Sequence, residues 1–393
     1  MTLPFSTRLA LRQLGYKGFG LIAAFSGVCV AITLVFVQLG FKNALTGSVL
    51  NFGNALNADL VITSSQFETI AFTQPWIPRH LIAQAKGVEG IEKVVPLYVN
   101  LAQIRANEQG HLLIARFIAF DLADSPLNTP GLDAYKPALQ LPYAALIDSR
   151  SRNALADVAQ TVGAGQQSHL YLQSPAMLMM PRIDLHGTYT MGPDFTFPGG
   201  FIISDLNFHR LFRLPLDRVH LGLVTLAAGA NPDGVMAALR SQLGPGIDVS
   251  RLQDFNDRER IYFVENTPVG IVTTVGMLVG ILIGIVFVVE VLHSIIGSNM
   301  SEYAVLRAMG YGTRFFVMLV LQISLIIGTL AFLASLAITM VAYAVLAHTT
   351  MLTFDLAWSS AALVLLGTLT MSGVAVTIAL RKLLRSNPID LFA

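Results

Sequence analysis

Residues 266–289 read NTPVGIVTTVGMLVGILIGIVFVV, a run of 24 residues without Asp, Glu, Lys or Arg. An α-helix rises about 1.5 Å per residue, so this run reaches roughly 36 Å, and the hydrocarbon core of a bilayer is about 30 Å thick. The run therefore predicts a membrane-spanning helix.

Three further windows lack the same four residue types and lie at residues 18–41, 315–354 and 356–380. The second of these is too long for one perpendicular span, so we expect a helix at 315–347 followed by a short turn. The first exceeds the usual apolar stretch of a signal peptide, about 7–15 residues, and no small-x-small cleavage pattern follows it. We interpret it as a retained anchor. Four transmembrane helices are therefore predicted.

The composition agrees with a helical membrane protein. Hydrophobic residues make up 54% of the 393 and charged residues 12%, whereas soluble domains carry about 25% charged residues. An ordinary cytosolic enzyme is therefore disfavoured. The net charge of +1 argues against nucleic acid as a partner, because binding to phosphates needs a strong basic field.

The basic residues outside the predicted spans indicate the orientation. Eight stand before span 1, between spans 2 and 3, or after span 4, and none stands between spans 3 and 4. Short cytoplasmic loops are enriched in Lys and Arg, whereas large domains translocate largely regardless of charge. Both termini are therefore predicted to be cytoplasmic, and residues 42–265 to be extracytoplasmic.

The segment 42–265 contains 14 of the 17 prolines and is predicted to fold as a large α+β domain between helices 1 and 2. Strand and helix patterns alternate at both of its ends, which suggests one split subdomain, with residues 121–200 as a second lobe. Met177–Met180 in that lobe fit a buried strand, which we favour, or an adaptable contact surface. The predicted elements are strands at 59–63, 91–99, 112–120, 219–226 and 247–252 and helices at 78–86 and 231–243.

The sequence contains no P-loop, no His-Glu-x-x-His motif and no Gly-x-Ser-x-Gly elbow. We therefore predict no catalytic, cofactor or metal site, and a protein that is not an enzyme. His209 is interpreted as a surface helix residue rather than a ligand. Glu290 lies near the end of a span, where its side chain can reach the interface, so it is assigned no site. An acidic cluster is interpreted as a solvated helix face and comprises Asp254, Asp257, Glu259 and Glu265.

A stripe of glycines runs along the second predicted span, at Gly276, Gly280 and Gly284. Glycine at every fourth residue lets helix backbones approach closely, which favours helix–helix association in lipid. The first span has a weaker version of the stripe, centred on Gly27. Packing within the chain and a homodimer face are both compatible with the pattern, and we favour the homodimer face.

The loop between spans 2 and 3 reads SNMSEYAVLRAMGY over residues 298–311 and predicts a short amphipathic helix. Glu302 stands near its start, Arg307 near its end, and Gly310 is a helix-stop residue. An apolar stripe of Tyr303, Leu306 and Met309 has no domain of this chain to cover it. Such a stripe suggests a partner protein, although a helix lying on the lipid interface gives the same pattern.

Glu302–Tyr311 followed by an apolar helix resembles the coupling-loop signature of the MacB/FtsX-like permeases of ABC transporters. The chain resembles the DevC-type branch of these permeases nearly end to end. One departure is Gln322-Ile323, where the branch usually has Gln followed by Glu. The matching stretches are Val37–Phe41, Ala58–Val61, Ser204–Phe208, Thr267–Gly270, Glu302–Ala304, Ala308–Tyr311, Arg381–Leu383 and Pro388–Asp390.

The resemblance implies a homodimeric permease subunit in a bacterial inner membrane that recruits a separate cytoplasmic ABC ATPase. It also implies a membrane-fusion adaptor on the extracytoplasmic domain, leading to an outer-membrane channel. ATP hydrolysis would move the periplasmic domains, a mechanotransmission mode of export. Carried over by position, Ser298–Gly310 would be the coupling helix and Leu3–Leu14 an elbow helix.

The partners that we expect are the ATPase, the adaptor, the channel, a second copy of the chain and the lipid bilayer. The predicted segments are a cytoplasmic elbow helix (1–17), transmembrane helix 1 (18–41), a periplasmic α+β domain (42–265), transmembrane helix 2 (266–292), a coupling loop (293–314), transmembrane helix 3 (315–347), a periplasmic loop (348–356), transmembrane helix 4 (357–380) and a cytoplasmic tail (381–393). The alternative function is an FtsX-like signalling protein that regulates an extracytoplasmic partner.

Overall fold

A computed structural model describes residues 9, 19–72, 75–107, 110–173, 180–192, 196–215 and 217–385. The chain divides into two compact units. The helical unit contains the residues up to Ala44, Pro268–Thr350 and the residues from Phe354 onward, and the α/β unit contains Leu45–Thr267 with Met351–Thr353. Most of the predicted elbow helix, Met177–Met179 of the methionine run, and the stretch Pro388–Asp390 lie outside the described residues.

The described residues form eleven helices and eleven strands. The helices are α1 (Phe19–Ala55), α2 (Arg79–Ala85), α3 (Leu132–Leu139), α4 (Ala154–Gly163), α5 (Asp205–Phe212), α6 (Pro232–Leu243), α7 (Leu252–Glu265), α8 (Pro268–Ser298), α9 (Met300–Ala308), α10 (Thr313–Thr350) and α11 (Trp358–Arg385). The strands are β1 (Leu60–Ser64), β2 (Ile77–Pro78), β3 (Ile91–Arg105), β4 (Leu113–Phe120), β5 (Ala144–Asp148), β6 (Ser168–Gln173), β7 (Arg182–Tyr189), β8 (Gly200–Ser204), β9 (Arg218–Val219), β10 (Leu221–Leu226) and β11 (Ile247–Arg251).

Four of the helices, α1, α8, α10 and α11, are long and apolar enough to cross a membrane. Their ends differ from the limits of the charge-free windows. The first helix continues from Phe41 to Ala55, because Lys42 ends the apolar window but residues 42–55 contain no proline that would stop a helix. The third membrane-length helix, α10, ends at Thr350, because the φ of 57° at the next residue, Met351, does not fit a right-handed helix.

Hydrogen bonds from α10 to the backbone of α1 join the helices of the helical unit. The Ser335 hydroxyl donates to the carbonyl oxygen of Cys29 at 2.9 Å, and the Tyr343 hydroxyl donates to that of Phe36 at 2.6 Å. The rings of Phe36 in α1 and Phe332 in α10 also lie 5.8 Å apart. Small polar side chains of this kind hold helices together in lipid, where apolar packing alone gives little specificity.

A nine-stranded sheet forms the centre of the α/β unit, in the order β11-β1-β10-β3-β4-β8-β5-β7-β6. The strands predicted at the two ends of the domain, β1, β3, β10 and β11, are neighbours in it, which confirms the split arrangement. The predicted hairpin is also confirmed, since β3 and β4 pair antiparallel from Tyr98↔Ala119 to Ile104↔Leu113.

The middle of the domain is joined to the same sheet by the fifteen-residue strand β3. Its first half pairs with β10 and its second half with β4. Its end, Gln103–Arg105, also pairs with β6, so β3, β4, β8, β5, β7 and β6 form a closed ring of strands. The segment 121–200 therefore shares β3 with the two ends of the domain and does not form a separate sheet.

Apolar clusters cover both faces of this sheet. Leu60 and Ile62 of β1 belong to one cluster and Val61 to the other. All five residues of β1 are buried, as in a strand with both faces covered, which explains why apolar residues follow one another from Leu60 to Ile62 without alternation.

Candidate functional site: the loop between α8 and α10

The short helix α9 lies between two membrane-length helices and is set off by a polar break at its start. Asn299 is buried there, and its side-chain amide donates to the carbonyl oxygen of Ile295 at 2.7 Å. The same carbonyl oxygen also accepts the backbone amide of Asn299 at 3.2 Å, so Asn299 caps the C-terminal end of α8 with both its side chain and its backbone. The helix is interrupted at Asn299, so α8 ends at Ser298 and α9 begins at Met300 as a separate helix.

The C-terminal end of α9 is closed by Gly310, which has a φ of +92°. The amide of Gly310 donates to the carbonyl oxygen of Arg307 at 3.1 Å, and the amide of Tyr311 to that of Leu306 at 3.2 Å. This pair of bonds is the Schellman motif, which requires a left-handed residue and so favours glycine. The predicted stop at Gly310 is confirmed.

The predicted apolar stripe of α9 is wrong in part, because one of its members faces inward. Tyr303 is 5% exposed, and its ring lies 5.8 Å from that of Phe316 in α10. Leu306 is half-buried against the same apolar cluster of the helical unit. The chain itself therefore covers these two side chains, and they cannot serve as a free contact face.

The large exposed apolar residues here are Val305 of α9 and Met309, the residue that caps α9, with exposed fractions of 59% and 68%. Glu302 is exposed one turn before Val305, and Arg307 is exposed on another side of the helix. Val305 was missed by the sequence analysis. It is spaced four residues before Met309, so the two lie on one side of the helix, and that spacing was the available signal. We call Glu302, Val305 and Met309 the outer face of α9.

The glycine stripe of α8 packs inside the chain, so its interpretation as a homodimer face is wrong. A Cβ added to Gly276 would lie 2.6 Å from Cδ of Gln38, and one added to Gly280 would lie 2.8 Å from Cγ2 of Val35. Both neighbours belong to α1. One added to Gly284 would collide with Met371 of α11. The small residues allow α8 to approach two other helices of its own unit.

Gly27 of α1 is the reciprocal contact. A Cβ there would run into the ring of Phe287, which projects from α8. The face of α8 that is exposed carries branched aliphatic residues instead of glycine. These are Ile271, Val272, Val275, Leu278, Val279, Leu282, Ile283 and Val286.

Glu259 of α7 is a correction to the predicted solvated acidic face. Its side chain is 2% exposed, and its two carboxylate oxygens accept hydrogen bonds from the Thr69 hydroxyl at 2.7 Å and the Ile70 amide at 2.9 Å. Burial raises the pKa of this carboxyl, although the hydrogen bonds from Thr69 and Ile70 act in the opposite direction. Asp254 is exposed, as predicted.

Two histidines of the α/β unit are packed side chains rather than a ligand pair. The Nδ1 atom of His209 lies 3.0 Å from the carbonyl oxygen of Leu214, and its ring contacts that of Tyr98. His220 accepts the Val99 amide at Nδ1, and burial lowers its pKa to about 4. Among the described residues, no three His, Cys, Asp or Glu side chains are grouped as metal ligands. His209 is half-buried, more enclosed than the predicted surface position.

Residues 274–388 match a family model described as FtsX-like permease C-terminal. The matched part holds most of α8 and the whole of α9, α10 and α11. This part of the chain is therefore similar to an FtsX-like permease C-terminal domain. The described residues also contain four helices long and apolar enough to cross a membrane. Gln322-Ile323, the departure noted in the sequence analysis, lies in α10 within the matched residues.

The chain also resembles solved structures, each over about half of its length. One is the periplasmic region of MacB from Actinobacillus actinomycetemcomitans, at 10% identity and a TM-score of 0.36, covering 54% of this chain and 95% of that one. Another is the extracellular domain of the noncanonic ABC-type transporter YknZ from Gram-positive bacteria, at 14% identity and a TM-score of 0.33, covering 49% and 98%. No curated protein sequence matches the chain.

Proposed function

We propose that this chain is the permease subunit of an ABC-type exporter of the DevC-type branch, and that the outer face of α9 binds a separate ATPase subunit. The observation that carries the proposal is the exposure of Val305 and Met309 on a capped helix between two membrane-length helices. An exposed apolar pair suits a protein partner, since exposed apolar patches mark binding surfaces and methionine is enriched at them.

The orientation of the chain supports a cytoplasmic partner. The basic residues around α9, Arg307 and Arg314, belong to the set of eight that indicates the cytoplasmic side. In this proposal both termini are cytoplasmic, the chain lies in a bacterial inner membrane, and the α/β unit between helices α1 and α8 is periplasmic. The α/β unit then receives a membrane-fusion adaptor that leads to an outer-membrane channel.

ATP hydrolysis by the partner would move α9, and α8 and α10 would transmit that motion to the periplasmic side. The chain itself supplies no ATPase activity in this proposal. Two copies work together, but they do not meet through the glycine stripe, which α1 and α11 already cover.

The test is co-purification of the full chain from its own cells, followed by ATPase assay. We expect the chain alone in nanodiscs to hydrolyse no ATP, and hydrolysis to accompany a co-purified ABC ATPase. Val305→Glu and Met309→Glu are expected to lower the amount of bound ATPase at least tenfold. Leu206→Glu, at an exposed leucine of α5, is the matched control and should leave binding unchanged.

Gly310 gives a second arm with an internal control. Gly310→Ala forces a side chain into a left-handed position, which costs about 1 kcal/mol and tilts the end of α9. A Cβ at Gly312 meets open space, so Gly312→Ala should be silent. Hydrolysis that is no longer stimulated by cargo in Gly310→Ala supports coupling through α9. Two outcomes contradict the proposal. One is equal stimulation by cargo in Gly310→Ala and Gly312→Ala, and the other is unchanged ATPase binding in both Val305→Glu and Met309→Glu.

The alternative function, an FtsX-like regulator, shares the ATPase and differs in what the α/β unit contacts. Reconstitution separates the two. An exporter moves cargo when adaptor and channel are supplied, whereas a regulator hydrolyses ATP and activates an extracytoplasmic enzyme without moving any cargo.

A further inference from the structure

The turn of α7 just before its last residue, Glu265, is apolar on every side. Residues 252–260 of this helix are largely polar or charged, whereas Ile261, Tyr262, Phe263 and Val264 form one complete turn without a polar face. A turn of this kind is ordinarily buried in a core or in a membrane. In this structure none of the four is buried, and Ile261 is 46% exposed.

A second element adds to the same exposed surface. The ring of Phe72, which is 54% exposed, lies 6.1 Å from that of Tyr262 in an edge-to-face arrangement. The ring of Tyr262 lies 6.0 Å from that of Phe263. We call Phe72 and Ile261–Val264 the aromatic patch.

Glu259 holds Phe72 in this position. Its carboxylate binds Thr69 and the Ile70 amide one turn before the patch, and the Ala71 amide donates to the Thr69 hydroxyl at 3.2 Å. The buried acid therefore fixes the turn that carries Phe72 against the side of α7. Burial of a carboxylate is costly unless its oxygens accept hydrogen bonds, and both oxygens of Glu259 do.

The chain position of the patch indicates what covers it. Tyr262 and Phe263 stand only six and five residues before Pro268, where the membrane-length helix α8 begins. At about 1.5 Å per residue, this separation is about 8–9 Å, close to the roughly 5–8 Å thickness of one headgroup layer. Aromatic side chains with one polar end are enriched in that layer, and Arg260 and Glu265 on either side of the turn suit its polar surroundings.

We propose that the aromatic patch lies in the headgroup–acyl boundary of the bilayer and anchors the end of α7 to the lipid surface. The proposal rests on α8 crossing the membrane and is independent of the ATPase. It assigns Glu259 as a positioning residue for Phe72. Movement of α8 would then be passed to the α/β unit from a point that the lipid surface holds.

The test is spin-label accessibility of the full chain in phosphatidylethanolamine–phosphatidylglycerol vesicles. The native Cys29 is first removed by Cys29→Ala, and a nitroxide is attached to Phe72→Cys or Ile261→Cys. Leu206→Cys in α5 is the water-exposed reference, and Leu282→Cys in α8 is the lipid-exposed reference. The measured quantity is the ratio of collisions with oxygen, which favours lipid, to collisions with a nickel chelate, which favours water.

We expect the ratios at positions 72 and 261 to lie between those of the two references. Ratios equal to that at 206 overturn the proposal. Exclusion of both reagents, or spin–spin broadening between copies, also overturns it, because protein would then cover the patch. An aqueous ratio at 282 overturns it together with the membrane assignment of α8, whereas loss of ATPase binding affects only the proposed function.

Variants of Glu259 test the positioning role in the same samples. Glu259→Gln keeps a carbonyl acceptor for the Ile70 amide and should leave both labels unchanged. Glu259→Ala should shift the ratio at 72 toward the value at 206 while leaving 261 unchanged. A shift at both positions, or at neither, removes the positioning role of Glu259.

Discussion

Among the described residues of the α/β unit, Asp148 and Glu259 are two buried carboxylates with a raised pKa, and their surroundings differ. Both oxygens of Glu259 accept hydrogen bonds from the chain. Asp148 ends β5 and accepts the Arg150 amide at 2.9 Å. Burial raises the pKa of Asp148 to about 6, against the opposing effect of backbone amides and the Arg150 charge.

The pKa of Asp148 has a defined consequence for stability. The folded chain keeps a proton on this carboxyl up to about pH 6, whereas the unfolded chain releases it near its ordinary value of 3.8. The neutral form therefore stabilises the fold at pH 4, and this contribution is lost as the pH rises through 6. At pH 7.5 the ionised carboxylate costs about 1–3 kcal/mol.

Asp148→Asn is expected to remove that cost, because an amide oxygen can still accept the Arg150 amide. We expect a higher thermal midpoint than the wild type at pH 7.5 and a clearly smaller difference at pH 4.5, measured for the full chain in detergent. Asp157→Asn, at an exposed carboxylate on α4, is the control and should change neither midpoint. A midpoint that falls at pH 7.5 contradicts the assignment.

The sequence pattern around Glu259 could not predict its burial. Asp254, Asp257, Glu259 and Glu265 alternate with arginines, and such alternation usually marks a solvated face. One acid of the four turns inward because the segment 69–71 supplies a hydroxyl and an amide for it. That segment is 190 residues away in sequence from Glu259, so no local spacing indicates the contact.

At the scale of the helices, α8 packs its glycines against α1 and α11 and exposes its branched aliphatic residues. The pattern of every fourth residue predicts close helix packing but not the identity of the neighbour. Because α1 lies 210 and more residues earlier in the chain, only the tertiary structure shows that it fills this position. Tyr303 of α9 is a second example. Its side chain faces inward because its ring packs against that of Phe316 in α10, which the pattern of α9 alone does not indicate.

Gly280→Val tests the packing of α8 on α1. The added side chain meets Val35 and the Ala31 carbonyl, so we expect overpacking to cost about 1–3 kcal/mol and to lower the thermal midpoint in detergent. Gly373→Val in α11 is the matched control, because a Cβ there meets no atom within 4 Å. Equal thermal midpoints for the two variants, or a new intersubunit contact without loss of stability, would contradict packing of the stripe on α1 and support its interpretation as a homodimer face.

At the scale of the whole molecule, the distribution of charge indicates the topology. The α/β unit lies between two membrane-length helices in chain order. Short segments with Lys or Arg stand before α1, between α8 and α10 and at the end of α11, and the segment between α10 and α11 has none. Short segments rich in Lys and Arg tend to stay on the cytoplasmic side. These segments and the α/β unit should therefore lie on opposite sides of the membrane.

This topology is tested by labelling in a Cys29→Ala background with a membrane-impermeant maleimide. In spheroplasts, Leu206→Cys of the α/β unit should react from outside. Met309→Cys of α9 should react only after the membrane is permeabilised. Both residues are exposed in the structure, so accessibility depends on the side of the membrane rather than on burial. The reverse labelling pattern contradicts the assigned orientation and the proposed position of the ATPase.

The sequence by itself determined the four apolar helices, the strands at both ends of the α/β unit and the limits of α9. These depend on local properties: hydropathy over a helix length, alternation over a strand, and the left-handed turn at Gly310. Only the tertiary structure decided that β3 closes a ring of strands, that the glycine stripe is covered by α1 and α11, and that Glu259 and Tyr303 face inward. Each of these depends on which distant segment fills the space beside a side chain, and that information is absent from local periodicity.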